Sequence, residues 1–173
     1  YITGLAHDEK GYPIFERDIR ESTTRALVDK IRLNADKIIE VEEDNLDDAE
    51  VVVVSYGISS RVALRAVELA RKEGIKVGAL RLITVWPFPE KKIVELSKKV
   101  KGFVVPEINY GQIAFEVERC SHGNTNVILV PHGGASVHIP EDIFGAIKQV
   151  AEDKKRYPQL VSYKTYLEKQ VFG

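Results

Sequence analysis

The sequence predicts a three-layer α/β/α sandwich built on a mostly parallel sheet. Three observations carry that expectation. Val51-Val52-Val53-Val54 is an unbroken β-branched run, the signature of a strand buried on both faces. From Val51 to Glu152, short apolar runs alternate with helical patterns in regular order. Glycines and prolines stand at the joints between them.

The elements follow in order. Between Glu16 and Glu40, Ile19, Leu27, Ile31, Ala35 and Ile38 recur at helical spacing among charged residues, which predicts an amphipathic helix. The acidic segment Glu40 to Glu50 reads as a separator. The Val51 strand ends at Ser55-Tyr56-Gly57. Ser59 or Ser60 is expected to cap a helix carrying Val62, Ala63, Ala66, Val67 and Ala70 and stopping at Gly74. Val77 to Leu82 reads as the next strand, and Pro87-Phe88-Pro89 breaks the chain before a helix holding Ile93, Leu96 and Val100. Phe103-Val104-Val105 supplies a strand opened by Gly102, Gly111 to Cys120 a short helix, Asn126 to Val130 a strand and Pro140 to Glu152 the closing helix. In such a fold, ligands and partners are met at the carboxyl ends of the strands.

Composition narrows the function classes. The 173 residues suit one domain, with 44% hydrophobic residues, 29% charged residues and a formal net charge of -1. That balance gives no pull toward nucleic acid or an anionic membrane surface. No apolar stretch approaches the roughly 18 residues that span a bilayer, and residues 1–4 lack the basic start and apolar centre of a signal peptide. A cytoplasmic protein is expected. Cys120 is the only cysteine, so this sequence can hold neither an internal disulfide nor a cysteine-rich iron–sulfur site. A chain that begins at Tyr1 and contains no Met is expected to be part of a longer one.

No motif assembles a reaction centre. Gly57-Ile58-Ser59-Ser60 follows a strand and opens a helix, where backbone amides could hold an anion, but it lacks the dinucleotide fingerprint, the P-loop ending and the second glycine of a nucleophile elbow. His7-Asp8-Glu9 reads as a solvated turn, since consecutive residues of an extended segment point apart. His122, His132 and His138 match no zinc spacing and read as surface or interface histidines. What stands out is Glu107-Ile108-Asn109-Tyr110-Gly111-Gln112, a carboxylate and two amides at a strand end. Either Asn109 caps the following helix while Glu107 and Gln112 bond nearby backbone, or the group meets a partner.

Thr3-Gly4-Leu5 with His7-Asp8-Glu9 and Gly11, Leu80-Arg81-Leu82 with Thr84 and Trp86-Pro87-Phe88-Pro89, and Glu107-x-Asn109-x-Gly111-Gln112 stand in the order and spacing of a known family. The set resembles α subunits of 2-oxoacid:ferredoxin oxidoreductases, in particular the 2-oxoglutarate-type branch. The resemblance implies a transketolase C-terminal-like domain at residues 51–153. Residues 1–50 would then lead in from a thiamine-binding domain, and residues 154–173 would be a tail packing on the domain or a partner. It also implies thiamine diphosphate, Mg²⁺ and an iron–sulfur cluster elsewhere in the complete enzyme and no cofactor in this chain. The implied partners are the β subunit, the thiamine domain of the same subunit and γ and δ subunits, with ferredoxin and CoA used by the complex. The candidate interface or cleft-edge residues are Gly57, Ser59, Ser60, Arg81, Trp86, Glu107, Asn109 and Gln112. Two other readings stay open: the C-terminal domain of a 2-oxoacid dehydrogenase β subunit and a free-standing flavodoxin-like binding module.

Overall fold

The computed structural model describes residues 4–134 and 136–152. The tail with its Tyr157, Leu160, Tyr163, Tyr166 and Leu167, and Thr3 of the first motif, lie outside the described residues. The chain divides into two compact units, residues 1–39 and residues 40–173.

In the first unit, Asp8 Oδ1 accepts the amides of Lys10 and Tyr12, both at 2.9 Å, and Gly11 turns the chain at φ +86. His7-Asp8-Glu9 is therefore a turn. Helix α1 spans Arg17–Arg32 and α2 spans Ala35–Ile38. The single helix expected from Glu16 to Glu40 is broken at Leu33 and Asn34, where Asn34 Nδ2 donates to the Lys30 carbonyl at 3.0 Å and so competes with the helix ladder. Neither helix buries a residue.

The second unit is a five-stranded sheet in the order β1-β3-β2-β4-β5. Its strands are β1 Val41–Asp44, β2 Val51–Tyr56, β3 Val77–Leu82, β4 Gly102–Glu107 and β5 Asn126–Pro131. Helices α3 Ser59–Lys72, α4 Glu90–Ser97, α5 Ile113–Ser121 and α6 Pro140–Glu152 connect and follow them. Strands β2 to β5 are parallel, while β1 runs antiparallel against β3. That antiparallel edge distinguishes the sheet from an all-parallel flavodoxin-like one. It also corrects the reading of residues 40–50 as a separator: Glu42 pairs with Arg81 across the ladder, so this unit starts at Glu40, ahead of the expected Val51. Three acidic residues in a four-residue strand hid the β1 pattern, because an edge strand has no second neighbour to demand apolar side chains.

Alternation along each central strand builds two cores. Val52, Val54, Leu80, Leu82, Phe103 and Val105 face one side with residues of α4 and α5. Val51, Val53, Val77, Ala79 and Val104 face the other with residues of α3 and α6. β2, β3 and β4 are thus buried on both faces, which is why their sequences show apolar runs rather than alternation, while β5 at the edge is mostly half-buried. Just past the end of helix α3, Gly74 at φ +82 lets the Ile75 amide reach back to the Ala70 carbonyl at 3.1 Å. Helix α4 stops at Ser97, short of Val100, which is buried beyond the helix end.

Candidate functional site

The parallel order β3-β2-β4-β5 reverses direction between β2 and β4. Helices leaving these two strands go to opposite faces, so the chain parts at their carboxyl ends and leaves a crevice. The backbone records the parting. β2 and β4 pair only from Val51 and Gly102 to Val53 and Val104, although the strands continue to Tyr56 and Glu107.

Side chains bridge the gap. Tyr56 Oη donates to Glu107 Oε1 at 3.1 Å, and Asn109 Nδ2 donates to the same oxygen at 3.1 Å. Glu107 Oε1 also accepts the Ile113 amide at 2.9 Å, and Oε2 accepts the Ala114 amide at 2.9 Å. Asn109 Oδ1 accepts the amides of Gly111 and Gln112 at 2.8 and 3.2 Å. The loose backbone donors ahead of α5 and in its first turn are thereby satisfied by two side chains, one bringing negative charge to the positive end of the helix. Glu107 is 0% exposed, the one buried carboxylate among the described residues. Its burial is compensated by four donors and the helix field. Burial and, next, the Glu107 charge push the Tyr56 phenol above its ordinary pKa, which keeps it a donor.

This geometry corrects part of the sequence reading. Glu107 was expected at the cleft edge or an interface, yet it faces inward and touches no surface, because its oxygens are required by its own helix. Gln112 is exposed and its amide, not its side chain, belongs to the network. Asn109 is half-buried and does cap the helix start. Ser59 and Ser60 do not cap α3: the residue at the cap position is Ile58, and both serines are buried in the first turn, where Ser55 Oγ donates to Ser60 Oγ at 3.2 Å. They are therefore not surface residues. Gly57 is exposed at φ +56, with open space where a side chain would stand. Arg81 Nη1 donates to Glu42 Oε2 on β1 at 2.9 Å, a cross-strand pair.

Tyr56 is the member that sequence reasoning missed. A signal existed: Tyr56 and Glu107 are both the last residues of six-residue strands whose starts pair in register.

Above the crevice the surface is apolar. Ile58 follows β2, Ile83 and Trp86 follow β3, Ile108 and Tyr110 follow β4, and Val137 and Ile139 follow β5, all exposed. Trp86 is 66% exposed. Tyr110 lies against Gly133, where a Cβ would come within 3.0 Å of the tyrosine Cζ, and so ties the β4 and β5 loops together. Of the three histidines read as surface or interface groups, His122 is exposed and ends α5, and His132 is half-buried. His138 is 4% exposed, with Nε2 bonded to the Val130 carbonyl at 2.8 Å, so it belongs to the interior. Burial first, then the neighbouring His132, hold its pKa below 6.5 against the opposing pull of the Val130 carbonyl and Asp142. Among the described residues, no group of three His, Cys, Asp or Glu stands close enough to hold a metal ion.

A family model described as pyruvate:ferredoxin oxidoreductase core domain II matches residues 49–143. The chain is 47% identical over 147 residues to the 2-oxoglutarate synthase subunit KorA of Methanocaldococcus jannaschii, a match covering 85% of this chain and 39% of that subunit. It thus spans about two fifths of the length of this relative. A solved 2-oxoglutarate:ferredoxin oxidoreductase from Magnetococcus marinus, with 2-oxoglutarate, coenzyme A and succinyl-CoA bound, shares the fold at a TM-score of 0.69 and 24% identity, over 87% of this chain and 26% of that one. An inactive β4 tetramer of a split-gene transketolase shares it at a TM-score of 0.54 and 19% identity, over 66% and 42%. These two structures bear on the fold, which is α/β with a mostly parallel sheet and is held in common with a transketolase.

Proposed function

The chain belongs to the pyruvate:ferredoxin oxidoreductase core domain II family, and on that footing we propose that it serves as one domain of the KorA-type subunit of a 2-oxoglutarate:ferredoxin oxidoreductase. The identity with KorA over most of this chain is the observation that carries the reading. The complex would oxidatively decarboxylate a 2-oxoacid, release the acyl-CoA and pass the electrons to ferredoxin in the cytoplasm. This domain's work within it is structural. It supports assembly and shapes the approach to the active site from the carboxyl edge of its sheet.

Thiamine diphosphate with Mg²⁺ and an iron–sulfur cluster belong to this proposal as groups held elsewhere. The described residues of this chain do not fit them. Glu107, the buried carboxylate, has both oxygens engaged by its own helix, and no three-ligand cluster is present among the described residues. The partners are correspondingly a thiamine-binding domain of the same subunit and a β subunit, with γ and δ subunits beyond them. The exposed hydrophobic residues of the carboxyl-edge loops suit a contact with one of these, since large aromatics supply much of the energy of an interface.

The test is reconstitution. The chain joined to the missing portion of its subunit and mixed with the other subunits should reduce ferredoxin with 2-oxoglutarate and CoA, in preference to pyruvate. The chain alone should not. Turnover by the chain alone, or a complex that ignores every 2-oxoacid, contradicts the reading.

A further inference from the structure

His138 is buried in a way that leaves its ring one unmet demand. It is 4% exposed, and Nε2 lies 2.8 Å from the Val130 carbonyl on β5. A carbonyl can only accept, so Nε2 carries the proton, and the neutral ring leaves Nδ1 a bare acceptor. Nδ1 is itself buried and has no hydrogen-bond partner among the described residues. The Val130 bond fastens the residues just ahead of α6 to the end of β5. Val137 and Ile139, two exposed residues of the apolar carboxyl edge, flank the ring in sequence.

A second proton on the ring upsets this arrangement. The new N–H at Nδ1 finds no acceptor, and a positive charge stands in a site shielded from water. Two titratable groups act on the ring from the elements around it. His132, on the segment after β5, has its ring centroid 5.4 Å away and opposes the cation. Asp142, in the first turn of α6, favours it. Burial outweighs both and holds the ring neutral, in place, at pH values where a histidine in water is charged.

We propose that His138 is an acid-sensitive latch: uptake of a proton breaks its bond to Val130 and frees residues 136–139 from the end of β5, so that the carboxyl-edge surface is complete only while the ring is neutral. The sign follows from linkage. A released ring takes up its proton near the ordinary histidine value of 6.5, whereas the closed ring does so only at lower pH. Release is therefore independent of pH above that value, grows as pH falls through it, and levels off below the closed-ring value. Each pH unit within the window favours release by up to about tenfold. The consequence for assembly rests on the proposed role of the carboxyl edge, while the latch itself does not.

The test is an NMR titration of the full 173-residue chain from neutral pH to the acid limit of its folded state. At neutral pH the ring nitrogens of His138 should report the neutral form with the proton on Nε2. Proton uptake should then share one midpoint, below 6.5, with shift changes at Val130, Val137 and Ile139, while Val52, Val53 and Val54 on β2 stay unmoved, the mark of local release. Asp142→Asn should enlarge the release and His132→Gln reduce it, because they lower and raise the closed ring's affinity for the proton. His138→Gln keeps a side-chain donor for Val130 but does not titrate, and should abolish the transition. Across the same midpoint the parent chain should lose affinity for the remaining subunits, and His138→Gln should keep it. Proton uptake that leaves Val130, Val137 and Ile139 unmoved overturns the proposal. So does a ring that stays neutral to the acid limit, or an acid loss of affinity that the parent and His138→Gln share. A chain that binds no subunit at neutral pH contradicts the proposed function instead, and the ring titration then decides the latch alone.

Discussion

The amino and carboxyl edges of the same sheet are finished in different chemistry. At the amino edge, residues just ahead of the strands are tied by ion pairs. Lys101 Nζ lies 2.6 Å from Glu50 Oε2, and Lys76 Nζ lies 3.7 Å from Glu50 Oε1. Arg71 holds Asp48 at 2.6 Å and the Val77 carbonyl at 2.6 Å. At the carboxyl edge the loops expose Ile58, Ile83, Trp86, Ile108 and Tyr110, above the buried polar knot at Glu107. Charged pairs in water contribute little stability but keep an edge soluble and unpartnered. Exposed apolar loops on a rigid base are the finish of a surface that meets something. The difference favours the carboxyl edge as the surface that meets a partner.

Substitutions at the two edges should separate these roles. The largest effect is expected at Glu107. Glu107→Ala leaves the Tyr56 hydroxyl and the buried amides of Ile113 and Ala114 without an acceptor, takes one of two acceptors from Asn109 Nδ2, and should cost about 4 kcal/mol in chemical denaturation. Glu107→Gln keeps the shape but presents an N–H₂ group to a site where every neighbour donates. It should cost about 2 kcal/mol, which shows whether acceptor count rather than volume matters. Tyr56→Phe should cost about 1 kcal/mol and remove an alkaline transition. Because the phenol's folded-state pKa is raised above 10.0, the stability it contributes is present below that value and is lost as pH climbs through it.

His138 gives a smaller acid effect. Its pKa in the folded chain lies below 6.5, so as pH falls past 6.5 the unfolded chain takes up a proton that the folded chain refuses. Stability should decline through that window and level off below the folded-state value, and His138→Gln should flatten the decline in thermal melts. Least of all is expected at the amino edge, where Lys101→Ala should change stability by about 0.5 kcal/mol.

Most of the fold was legible because doubly buried strands and the helices between them leave strong marks. Val51–Val54 and Pro140–Glu152 are examples whose limits the sequence already indicated. β1 was not legible, since its partner is only β3 and its outward charges look like a loop. The site was half legible. Glu107 and Asn109 stood out by type and spacing, but a carboxylate at a strand end reads equally as an interface group or a helix cap. Only the positions of Ile113 and Ala114 decide between them. Ser59 and Ser60 misled for a related reason: hydroxyls at a helix start signal a cap, while here the turn places Ile58 there and packs both serines inward.

The most direct test of the account is the affinity of the chain for the remaining subunits and domains of its complex, measured for the unaltered chain, for Trp86→Ala and for Lys101→Ala. If the carboxyl edge is the contact surface, Trp86→Ala should fold normally and bind at least about tenfold more weakly, the scale of a buried aromatic anchor, while Lys101→Ala binds like the parent. Equal affinity for the parent and Trp86→Ala, or a loss confined to Lys101→Ala, would contradict it.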